Sequence, residues 1–106
     1  MSNKKLPGLY TMLGEKHPKF ISALEELGKV VKQEGPLDEK TVHLVQLAGA
    51  AAIGSEGAVH SHARRAVKAV VEQEQMHHAI ILLTSTIGFP RVAAALSWVQ
   101  DIIGYK

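Results

Sequence analysis

Between Leu44 and Ile53 the chain offers one strongly polar side chain, Gln46, and the run then stops at Gly54. A helix with so little polar surface must be covered nearly all round. Leu37 and Val42 open it, with the spacing of a hydrophobic staple around an Asp38 N-cap. The small residues from Ala48 to Ala52 keep its surface thin, so neighbours can approach closely. A second segment, Gln73 to Thr86, is apolar from Ala79 to Leu83 and stops at Gly88. A chain of 106 residues has one small core and cannot enclose two such helices on every side. Subunit contacts are the expected cover.

The remaining segments read as shorter helices. Residues 1–5 are expected to be loose, and Leu6-Pro7-Gly8 through Gly14 to form one or two helical turns pinned by Leu9, Tyr10, Met12 and Leu13. His17-Pro18 opens the next helix, since proline is tolerated at the first helical position. Phe20, Leu24, Leu27 and Val31 mark its apolar side, Glu25, Glu26, Lys29 and Lys32 its wet side, and Gly35-Pro36 its end. Phe89-Pro90 starts the last helix, which turns Val92, Leu96, Val99 and Ile103 inward and leaves at Gly104. No segment alternates with period two between turn signals, so no strand is expected. The fold class is all-α, five to six helices in a single domain over residues 1–106.

Charge and composition narrow the function classes. The formal net charge of +2 is spread along the chain and gives no basic face for nucleic acid. No cysteine is present, which removes disulfides, thiolate metal sites and thiol catalysis. The basic start, Met1 to Lys5, is followed by no apolar h-region, and no apolar run approaches the roughly twenty residues of a membrane span. A cytoplasmic protein with no membrane partner is the expectation.

After Gly54 comes the most unusual stretch, GSEGAVHSHARRA. Ser55 is placed to cap a helix by accepting from its first-turn N–H groups, and Glu56 sits where the helix dipole favours negative charge. Ser55, Ala58, His62 and Arg65 then share one face, and Glu56, His60 and Arg64 form a neighbouring polar stripe. Two small residues followed by a histidine make a recess with a titratable group at its end.

This spacing resembles that of the carboxymuconolactone decarboxylase and alkylhydroperoxidase D-like family, whose redox members carry C-x-x-C-x-x-x-H here. Ser55 and Ala58 stand at the two cysteine positions and His62 at the histidine. The entry from Leu37 to Thr41 and the run His62-Ala63-Arg64-Arg65-Ala66 also look like the family. Where redox members place a glutamate upstream, this chain has His43. A histidine often found before the second cysteine is replaced by Gly57, and the small loop after the helix, usually Gly then Thr or Ser, reads Val70-Val71-Glu72. The resemblance implies a helical-hairpin domain that assembles as a homotrimer or homohexamer.

The six histidines divide by position. His17 reads as a loop residue, and of the adjacent His77 and His78 one is expected exposed and one partly buried. His60 and His62 lie two apart, about 200° around a helix, and cannot chelate one ion together; no metal and no cofactor is expected. Glu56, His60 and Arg64 read as a surface or interface ion network. His62, on the recess face, is the candidate proton donor or acceptor, with His43 as a second imidazole. Gln46, on the face of His43, could line the same recess with Ser55. Arg65, one turn after His62, could hold a carboxylate.

Three functions compete. One is a cofactor-free acid–base lyase acting on a small carboxylate or lactone. The second is the thiol peroxidase of the redox relatives, whose peroxiredoxin-type chemistry needs thiols this chain lacks. The third is a non-catalytic oligomeric module that binds a small acid or a partner protein.

Overall fold

The computed structural model describes residues 2–104, and side chains over 8–104. Its helices are α1 (Ser2–Lys16), α2 (Pro18–Gln33), α3 (Glu39–Ala52), α4 (Glu56–Lys68), α5 (Gln73–Ile81), α6 (Thr84–Ile87) and α7 (Phe89–Ile103). The described residues contain no strand, so the protein is all-α. The chain divides into two compact units, Met1–Pro36 and Leu37–Lys106, at the Gly35-Pro36 break.

The first unit is α1 packed on α2. Helix α1 is longer than the one or two turns expected, and it continues through Pro7-Gly8. A proline this early forfeits only one intrahelical hydrogen bond. Of the expected loose start, Met1 lies outside the described residues and Ser2 to Lys5 are helical. Tyr10 donates its hydroxyl to Glu25 Oε2 at 3.3 Å, tying the two helices. The apolar side of α2 is not covered: Phe20, Leu24, Leu27 and Val31 are 45–58% exposed, and Ile21 is the buried residue of this helix. Gly28 and Lys32, the latter expected on the wet side, are half-buried instead, and a two-helix unit has too little chain to enclose the apolar side chains.

The second unit holds the core, with Leu47, Val59, Met76, Ile80, Val92 and Val99 fully buried. Helix α3 starts as its sequence requires, with Asp38 Oδ1 accepting from the Thr41 N–H at 2.8 Å. That bond, then the Thr41 side chain and the nearby Lys40 charge, lowers the Asp38 pKa from 3.8; slight burial opposes them. At the other end the Gly54 N–H donates to Ala51 O and the Ser55 N–H to Ala50 O, the paired bonds of a Schellman turn. Gly54 takes φ +70, which an L side chain adopts only under strain. Arg91 crosses this turn and donates from Nη1 to Ala52 O at 3.0 Å.

Helix α4 ends on the same device with a different residue. The Val70 N–H donates to Val67 O and the Val71 N–H to Ala66 O, with Val70 at φ +63. A β-branched residue there is an outlier. The expected single helix from Gln73 to Thr86 is broken into α5 and α6. The Thr84 hydroxyl donates to Ile81 O at 2.7 Å, taking a carbonyl at the C-terminus of α5. Gly88, at φ +89, turns the chain into α7. Val92 and Val99 on α7 are buried, and Leu96 and Ile103 pack against the core at partial exposure, as their spacing predicts. His77 donates from Nε2 to Gln100 Oε1 at 2.6 Å, and Gln100 Nε2 donates to Gly104 O at 2.8 Å, so one side chain ties α5 to the end of α7.

Candidate functional site

Helices α3 and α4 make the most extensive helix pairing in the unit. Their connection is three residues long, Ile53 to Ser55, so they run antiparallel. Ser55 is the N-cap of α4 in extended conformation (φ −96, ψ 104), and its Oγ accepts from the Ala58 N–H at 3.3 Å. The cap places the small-residue face of α4 as the sequence implies.

Along that hairpin the candidate residues fall into order. Gln46 and His62 each lie eight residues from Gly54, so at 1.5 Å per residue both stand about 12 Å from the turn. His43 lies about 4.5 Å further along, less than one turn. His62 shares its helix face with Val59 and Ala66, both fully buried, and His43 shares its face with fully buried Leu47. His43 is itself 6% exposed and His62 half-buried. The Nδ1 atoms of both rings are buried, and so is Gln46 Oε1, which accepts no hydrogen bond among the described residues. These polar atoms are buried on the two helices of one hairpin.

The other two candidates sit differently. Ser55 is committed to the cap through its oxygen, leaving the hydroxyl hydrogen to donate elsewhere. Arg65 is exposed in the last turn of α4 and forms no ion pair or hydrogen bond through its side chain among the described residues. Its guanidinium is accessible to an anion one turn beyond His62.

His60 is 3% exposed, so the expected surface or interface ion network includes a buried imidazole, and its Nε2 lies 2.9 Å from Asp101 Oδ2 on α7. Glu56 Oε2 stands 4.0 Å away across one turn of α4. Asp101 carried no signal in the sequence, because the pairing spans 41 residues and follows from the docking of α7. His77 is half-buried and His78 exposed, as expected of adjacent helix positions.

These observations define a class: an all-helical domain whose α3–α4 hairpin carries a capped small-residue face ending in a histidine. Residues 18–101 match the carboxymuconolactone decarboxylase family, and the chain belongs to it. No curated protein matches the chain. No described helix is long and apolar enough to cross a membrane.

Proposed function

We propose that this protein is a cofactor-free acid–base lyase of the carboxymuconolactone decarboxylase family, acting on a small carboxylate or lactone. The observation that carries the reading is the group of buried polar atoms, His43 Nδ1, Gln46 Oε1 and His62 Nδ1, on the two helices of one hairpin. Titratable side chains held among apolar neighbours are suited to proton transfer, since such surroundings can tune them to the task. In a decarboxylation the electrons of the breaking C–CO2 bond move onto the lactone carbonyl as an enolate, and a proton must reach the carbon that receives it. His62 supplies that proton, with His43 holding or replacing it. Arg65 holds the substrate carboxylate, and Ser55 and Gln46 orient the ring. Thiol peroxidase chemistry has no support, since it needs the cysteines that Ser55 and Ala58 replace.

The same reading includes a single domain over residues 1–106 and a homo-oligomer, a trimer or hexamer. The family match runs across the boundary at Pro36, which supports the first. Uncovered apolar side chains support the second: Val45 is 55% exposed, Ile81 51% and Leu82 64%. Val45 and Leu82 line an apolar groove of about 470 Å³ between α3 and α5. The same surfaces favour the second reading, a non-catalytic assembly module.

His62→Gln separates the two, because glutamine fills similar volume and still hydrogen-bonds. In a lyase, binding of a small carboxylate survives while turnover falls by about two to four orders of magnitude. A stability loss of about 1–3 kcal/mol with unaltered ligand affinity and no turnover to lose would retire the enzyme reading.

A further inference from the structure

We infer that Glu56, His60 and Asp101 form a binding site for a divalent first-row transition metal, on the opposite side of α4 from His62. His60 and His62 point about 200° apart, so this cluster is separate from the proposed lyase site. Its three ligand atoms, one from each side chain, all lie within 4.8 Å of one another. They come from two helices, α4 and α7, and one of them, the imidazole, is held rigidly by burial.

The charge arrangement calls for a cation. Two carboxylates converge on one nitrogen, and Nε2 can carry only one proton, donated to Asp101 at 2.9 Å while Glu56 stands at 4.0 Å. A divalent ion on Nε2 neutralises both.

The distances fit as well. Zinc bonds of roughly 2.1 Å to nitrogen and oxygen put tetrahedral ligand atoms about 3.4 Å apart. The observed separations of 2.9 and 4.0 Å bracket that value. Relative to Nε2 each carboxylate moves by about half an ångström, and the two carboxylate oxygens, within 4.8 Å of each other, close by at most about 1.4 Å. Both can do so, since the Glu56 side chain is 57% exposed and that of Asp101 43%. One imidazole with two carboxylates favours zinc, iron or manganese, and water completes the shell. Magnesium, which takes oxygen ligands, gains little from the ring.

The test is calorimetric titration of the full-length protein with Zn²⁺ alone, repeated with Mg²⁺ and with Glu56→Gln and Asp101→Asn. Both substitutions remove a charge from an exposed side chain and leave its shape, so folding is retained and is checked by circular dichroism. The expected result is one equivalent of Zn²⁺ per chain, reversed by a chelator and not displaced by Mg²⁺. Affinity should fall by about tenfold or more in each variant. On the wild-type protein the ¹⁵N resonance of His60 Nε2 should shift on addition of Zn²⁺. Absence of saturable binding below about 1 mM, or wild-type affinity in either variant, overturns the site. Neither measurement depends on turnover, so the outcome is independent of the lyase proposal.

Discussion

Arg91 Nη1 donates to the carbonyl oxygen of Ala52 at 3.0 Å and lies over Gly54, where an added Cβ would stand 2.8 Å from that nitrogen. The start of α7 therefore closes the turn that aims the small-residue face of α4. Gly54→Ala should destabilise by about 1–2 kcal/mol, mainly from the left-handed backbone at φ +70. The contact adds little, because a flexible arginine end can swing aside. Arg91→Ala should cost less than about 1 kcal/mol, the worth of one exposed hydrogen bond. Urea denaturation of both variants checks the ranking, and a larger loss for Arg91→Ala would contradict it.

Val70 offers the converse experiment. It occupies the left-handed position of a Schellman turn at φ +63 and is 71% exposed, so its side chain buries little. Val70→Gly should stabilise by about 0.5–1 kcal/mol, as relief of the strain exceeds the extra freedom of the unfolded glycine. Thermal unfolding at fixed concentration measures it, and an unchanged or lower midpoint would show that the turn is relaxed with valine.

The Asp38 cap predicts an acid-side dependence of stability. Its folded pKa is lowered, so the unfolded chain binds the proton more readily. The stabilisation is complete above the ordinary value of 3.8 and is lost as the pH falls through the folded value. Asp38→Asn keeps an oxygen for the Thr41 N–H but cannot titrate. The variant should therefore lose less stability than wild type between neutral pH and about pH 3 in paired urea titrations. Parallel curves would exclude a titrating cap.

Leu82→Glu tests what covers the α3–α5 groove. Leu82 is 64% exposed within one chain, so a charge there leaves the fold of a single copy intact. If copies of the chain meet on this face, the variant sediments as a smaller species, because an interface cannot hold an unpaired charge without a penalty of several kcal/mol. Identical sedimentation of variant and wild type would remove the groove from the interface.

What could be read from the sequence was local. The caps at Asp38 and Ser55 depend on a residue and the N–H three positions later, and both formed as their sequence implies. The division of Gln73 to Thr86 into two helices was hidden because it turns on one rotamer, the Thr84 hydroxyl bonded back to Ile81. Periodicity did not find the inward side of α2: Phe20 and Leu27 are both 58% exposed, whereas Ile21 is buried and Lys32, expected on the wet side, is half-buried. In the candidate site, His43, Gln46 and His62 are proposed from helix faces and the family motif, and each carries a buried polar atom. Asp101 was invisible, since no pattern along the chain links it to His60. The burial of His60 is hidden for the same reason, since α7, which packs on α4, arrives from the far end of the sequence.

The three-residue connection between α3 and α4 also sets an order of events as the chain folds. Closing so short a loop costs little entropy, and the two helices it joins share the largest contact surface in the unit. On these grounds the hairpin is expected to form the folding nucleus and α7 to dock late, when Arg91 reaches back 39 residues to Ala52. Substitutions at Gly54 should then slow refolding, whereas those at Arg91 or Asp101 should chiefly hasten unfolding. Stopped-flow refolding and unfolding of these variants reads whether the hairpin that carries the histidines assembles before the helix that covers it.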